Sequence, residues 1–225
     1  MEKRIREGSP NPDSVGSAPI ENQELRAEAK VIGETLLALY GKYMPPQTKR
    51  EALRTADKFV TKSGGENRKL AKGHTAGYLR KDGVIIINRD YLEYLTAILA
   101  FKNVTRLEIF STLLAMEETH RLQDQTLSHM FLECGSSYYA REVSRYLGKR
   151  WVSETFLFGR ADFYEKLIAG VEDCKDELGY GGEAVHHLFF GTPLSKNDKH
   201  LVYSFLDDDR DKLLKLFPEL RRNRR

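Results

Sequence analysis

The run His74-Thr75-Ala76-Gly77-Tyr78-Leu79-Arg80, then Lys81-Asp82-Gly83, then Val84-Ile85-Ile86-Ile87-Asn88 reads as two extended segments around an Asp-Gly turn. In a chain patterned for helix almost everywhere else, this hairpin at about 74–88 has no place in a helical bundle and requires an α+β arrangement with a small antiparallel sheet. The second segment is solidly β-branched, which predicts burial on both faces. A sheet of two or three strands cannot be a core by itself. Helices must supply most of the buried surface, with the sheet packed along one side of them.

Helical spacing accounts for the rest. Leu25, Ala29, Ile32, Leu36, Leu39 and Tyr43 share one face between Asn22 and Tyr43, and Pro45-Pro46 ends that run. A second helix is predicted from Gln47 to about Thr61, closed by Ser63-Gly64-Gly65. After the hairpin, helices are predicted at about 89–101, 104–129, 136–147, 150–170, 181–190 and 195–206, with a short one near 208–216. Thr105 with Glu108 makes a capping box before the second of these, and Ser195 with Asp198 resembles another.

A length of 225 residues fits one domain with a real core. Residues 1–21, rich in Gly, Ser, Pro and charge, are expected to form a flexible leader, residues 22–220 the single domain, and residues 221–225 a solvated basic tail. A formal net charge of +3 gives no ground for a nucleic acid partner. Cys134 and Cys174 belong to no Cys-x-x-Cys pair, so reduced, partly buried thiols are expected. The N-terminus carries no apolar signal segment and no run approaches membrane-spanning length, so a cytoplasmic protein without a membrane partner is expected. Nothing in the pattern sets an oligomeric state.

The chemistry gathers on the helix predicted from Thr105 to Ser128. Steps of three and four residues put Leu113, Met116, Glu117, His120 and Asp124 on one face, so Glu117 and His120 point the same way at the end of the aliphatic segment Ile109 to Ala115. A buried carboxylate and imidazole need partners, which either a metal or a hydrogen-bonding network can supply. In the zinc motif His-Glu-x-x-His, two imidazoles one turn apart hold one metal while the glutamate polarises a bound water. Here Met116 stands at the first imidazole position, and Glu117 and His120 fill the other two.

With a hairpin, a helix, this motif helix and a later carboxylate-bearing helix in that order, residues of about 74–170 resemble a minimal gluzincin-type metallopeptidase domain. The resemblance implies an edge strand that aligns a peptide or protein segment, zinc as cofactor, Glu117 as general base and His120 as second ligand. A glutamate of a following helix would be the third. In Trp151-Val152-Ser153-Glu154-Thr155-Phe156-Leu157-Phe158-Gly159-Arg160-Ala161-Asp162, Glu154 matches that role first and Asp162 second. Met116 departs from the pattern, because a thioether suits Cu(I) and is a poor replacement for imidazole on Zn²⁺. His74, His186 and His187 are candidates for a substitute ligand. The expectation is therefore a zincin-like, degenerate peptidase that keeps a peptide-binding groove. If a metal is held, by His120 and Glu154, the reaction expected is amide hydrolysis with Glu117 acting on the bound water.

Two other readings stand beside it. Glu183-Ala184-Val185-His186 repeats Glu-x-x-His, and two such motifs with extra carboxylates at Glu93 and Glu154 are the ligand set of ferritin-like di-iron proteins. Against this, Gly179, Gly181 and Gly182 place the second motif at a helix start, where an acidic residue is favoured without any metal. The third reading is a non-enzymatic interaction protein that takes a partner segment by strand addition.

Overall fold

The computed structural model describes residues 18–63, 76–124, 126–127, 129–152, 165 and 183–196. Helix α1 spans Ala18–Tyr40 and is extended by a 3₁₀ turn, Gly41–Tyr43. Of the face legible in the sequence, Leu25, Ala29, Ile32, Leu36 and Tyr43 are buried, while Leu39 is half-buried and the neighbouring Tyr40 is buried in its stead. The helix begins at Ala18, so residues 18–21, expected in the leader, belong to the fold. Residues 1–17 and 221–225 lie outside the described residues.

Pro46 opens α2 (Pro46–Ala52) at a position where its missing N–H costs nothing. The predicted helix to Thr61 is wrong beyond this point. The chain makes a 3₁₀ turn at Thr55–Asp57 and then strand β1 (Phe59–Lys62). With β2 (Ala76–Leu79) and β3 (Val84–Asn88), β1 forms a three-stranded sheet of order β1-β3-β2. The hairpin β2–β3 is antiparallel as expected, while β1 runs parallel to β3, so the sheet is mixed. Ile85, Ile86 and Ile87 are all buried, as the β-branched run predicts.

Asn88 ends β3 and caps α3 (Arg89–Leu99), its side chain accepting from the Tyr91 N–H at 3.3 Å. Helix α4 (Arg106–Leu122) starts at the expected capping box, in which the Glu108 carboxylate accepts from the Thr105 N–H at 2.7 Å and the Thr105 hydroxyl from the Glu108 N–H at 3.2 Å. The predicted helix 104–129 breaks at Gln123. Asp124 is outside the helix, its N–H donating to Phe189 O and its carboxylate accepting from Thr126, and a separate helix α5 spans His129–Tyr146. Helix α5 packs along α4, and α6 (Glu183–Phe189) brings Phe189 and Phe190 into the same core. The result is an α+β fold in which helices provide the core and the sheet lies against α4. None of the described helices is long and apolar enough to cross a membrane. The helices predicted over 150–170, 195–206 and 208–216, the Ser195–Asp198 cap and Cys174 fall wholly or mostly outside the described residues, whereas Cys134 is buried.

Candidate functional site

Adjacent residues of α4 face different parts of the fold. Glu118 and Arg121 point towards α2 and the 3₁₀ turn after it, where the Glu118 carboxylate takes two bonds from Arg121 at 2.6 and 2.8 Å and lies 2.8 Å from the Thr55 hydroxyl. Arg121 also donates to the Glu51 carboxylate at 2.8 Å and to Glu51 O at 2.6 Å. This closed ionic network anchors the helix. Glu117 and His120, one step round, face β2 and α5.

Strand β2 is an edge strand, and its register explains how it reaches Glu117. The Ile85 N–H donates to Lys58 O at 2.7 Å, towards β1. Tyr78, paired opposite Ile85, is therefore in a pair that exchanges no ladder bonds, and its own N–H and C=O point outward. The outward N–H faces the Glu117 carboxylate and favours its charged form. Glu117 still reaches solvent at one edge but is otherwise surrounded by protein. Burial, with the Glu133 carboxylate adding to it, raises its carboxyl to about 7, against the opposing pull of the Tyr78 N–H.

Glu133 comes from α5, and its Oε1 lies 3.7 Å from His120 Nε2. Two ligands bound tetrahedrally to one zinc stand roughly 3.4 Å apart, so the pair has nearly the spacing of ligands on a shared ion. A hydrogen bond occupies that direction instead: Ser136 Oγ is 3.0 Å from the same nitrogen, and Gln123 Nε2 is 3.0 Å from Nδ1. Ser136 is fully buried in mid-helix. Met116, at the first-ligand position, packs partly buried against the hydrophobic core.

Tested against a zinc ion, these residues do not fit. A catalytic zinc takes three protein ligands and keeps a fourth position open, and here the imidazole of His120 and the carboxylate of Glu133 make two. Among the described residues no group of three or more His, Cys, Asp and Glu is placed to hold a metal. Glu154, Asp162 and His74 lie outside the described residues. The second Glu-x-x-His is engaged elsewhere. Glu183 accepts from Lys42 and, at 2.8 Å, from the Tyr43 hydroxyl, while His186 Nδ1 shares a hydrogen bond of 2.6 Å with the Tyr139 hydroxyl among the rings of Tyr40, Tyr43 and Tyr138. His187 lies edge-on to Tyr43 in the same group, and Glu93 pairs with Arg106 at 2.8 Å.

No family model, curated protein or solved structure matches this chain. Sequence reasoning found Glu117 and His120 and missed Glu133, Ser136, Gln123 and the Tyr78 N–H. Asp124, which turns the chain back through Thr126, was the available signal that one helix ends and another begins, and with that break Glu133 falls on the neighbouring helix.

Two groups with shifted proton affinity make opposite demands on pH. His186 is held neutral, lowered to about 4 by burial, so stability is intact above pH 6.5 and about 3 kcal/mol is lost as pH falls from there through 4. Glu117 is raised, so stability is intact below its unfolded value of 4.5 and falls as pH rises through 7. Glu117→Gln is expected to stabilise the protein by ~2 kcal/mol at pH 8, after allowance for its solvent contact, and to leave it unchanged at pH 4. Urea midpoints of both proteins across that range check this; equal midpoints at pH 8 would contradict it.

Proposed function

We propose that the chain is a zincin-like protein with a degenerate site, which has given up metal-dependent hydrolysis and works by holding an extended peptide or protein segment beside α4. The observation that carries this is the outward Tyr78 N–H facing the Glu117 carboxylate, because it brings the edge strand and the motif glutamate side by side, as in a zincin. The Tyr78 carbonyl points the same way and offers an acceptor for an added strand. A carboxylate raised to about 7 by burial is an unfavourable group for folding, and such groups gather where a protein binds or reacts.

The test uses decapeptides selected from a random displayed library on the full chain. Ala76 shares the outward orientation of Tyr78, two residues along, so Ala76→Pro removes an outward N–H and leaves the ladder to β3 in place. Selected peptides are expected to lose about tenfold or more in affinity on this variant, the equivalent of one main-chain hydrogen bond. Failure to select any binder, or binding indifferent to Ala76→Pro, contradicts the proposal.

A further inference from the structure

We infer that Ser136 and Gln123 hold a proton on His120 Nε2, the nitrogen that a metal on this helix would need, so that hydrogen bonding closes the site to zinc in addition to the ligand lost at Met116. The argument starts from the Ser136 hydroxyl, which has one proton to give. It stands 3.0 Å from Glu133 O and 3.0 Å from His120 Nε2. Glu133 O already accepts from the Ser137 hydroxyl at 2.9 Å, so it does not by itself fix the Ser136 proton; what fixes the ring is its other nitrogen, since an Nδ1 that accepts leaves the proton on Nε2 with Ser136 Oγ as its acceptor. At the other side of the ring the Gln123 amide donates to Nδ1. The ring is thus a neutral imidazole with its proton on Nε2. The Glu133 carboxylate, 3.7 Å from that nitrogen, favours the proton staying there.

A metal-ligating histidine has the opposite arrangement. Its outer nitrogen donates to a carboxylate or carbonyl, which fixes the tautomer and turns the lone pair of the other nitrogen to the ion. Here the outer partner is an amide N–H and the inner one a buried hydroxyl placed to accept from Nε2–H. Freeing the Nε2 lone pair would require both bonds to change within the packed α4–α5 interface, where Ser136 is fully buried. Gln123 and Ser136 are therefore positioning residues for His120, and Met116→His should not restore a metal site by itself.

The proton's place is independent of the zincin-like reading, which enters only in naming zinc as the excluded ion. Long-range proton–nitrogen correlation spectra of the labelled native chain at neutral pH report the tautomer directly, with His120 identified among the six histidines by His120→Gln. The expected result is Nε2–H with an unprotonated Nδ1, unchanged by equimolar zinc chloride. Calorimetry with zinc chloride is then expected to show Met116→His/Gln123→Glu/Ser136→Ala binding about 10- to 100-fold more tightly than Met116→His, because a carboxylate at 123 accepts from Nδ1–H and reverses the tautomer. A lone pair on Nε2 in the native chain, or a single Met116→His variant as tight as the triple one, overturns the inference and leaves the zincin-like reading standing. A folded triple variant that gains no zinc affinity overturns both. The native tautomer needs no variant to be read, so a substitution that misfolds does not remove the test.

Discussion

Gly135→Ala is expected to destabilise the protein by about 3 kcal/mol, enough to lower its urea midpoint severely. On helix propensity alone the change should stabilise α5 by about 1 kcal/mol. Contact geometry reverses the sign. A Cβ at this position would stand 2.2 Å from Phe189 Cε2 and 2.6 Å from its Cδ2. The Phe189 ring is fully buried and has nowhere to move, since it packs against Phe131, Tyr139 and Phe190 with ring centroids at 6.3, 4.6 and 5.0 Å. Either α6 backs away from α5 or the ring leaves its place, and each separates surfaces that enclose the Tyr139–His186 bond. Gly41→Ala is the control. Its nearest contact would be Leu37 at 3.8 Å, an ordinary van der Waals distance, so its midpoint should scarcely change. Similar midpoints for the two variants would contradict the packing described.

Arg121→Met is expected to cost about 3–5 kcal/mol, because it leaves the fully buried Glu118 carboxylate without a cation. The Thr55 hydroxyl would remain as its only described partner, and Thr55 is itself shared with Ala52 O at 2.6 Å. The penalty comes from the stranded charge more than from the lost bonds, so the double variant Glu118→Leu/Arg121→Met should recover most of it. Urea denaturation of the native protein and both variants checks the comparison. A double variant as unstable as the single one would show that the network contributes through geometry rather than charge. Since Glu118 and Arg121 lie on a different face from Glu117 and His120, the double variant should also keep the His120 tautomer of the native chain.

Those two faces of α4 show what a single sequence can and cannot reveal. Periodicity gave the buried face of α1, the β-branched run gave β3, and Thr105 with Glu108 gave the start of α4, because each of these is decided by residues within a few positions of one another. Strand β1 was hidden for the opposite reason. Phe59-Val60-Thr61-Lys62 is four residues long, follows a helical segment directly, and becomes a strand by parallel pairing with Ile85 to Asn88, more than twenty positions away. Glu117 and His120 were legible from their spacing. Their partners were not, since Tyr78 contributes a backbone N–H that no side-chain pattern encodes, and Glu133 and Ser136 meet His120 only once the chain has turned back at Asp124. Glu118, identical in type to its neighbour, is structural for reasons that only the packing of Arg121 and Glu51 makes visible.

The metal content of the native protein bears most directly on the claim that the site is degenerate. Purified without chelators, then equilibrated with excess zinc and desalted, the protein is expected to carry far less than one zinc per chain by elemental analysis. About one tightly held zinc per chain, with proton release on binding, would contradict the account, since it would mean that a further ligand completes the site and that His120 gives up its Nε2 proton.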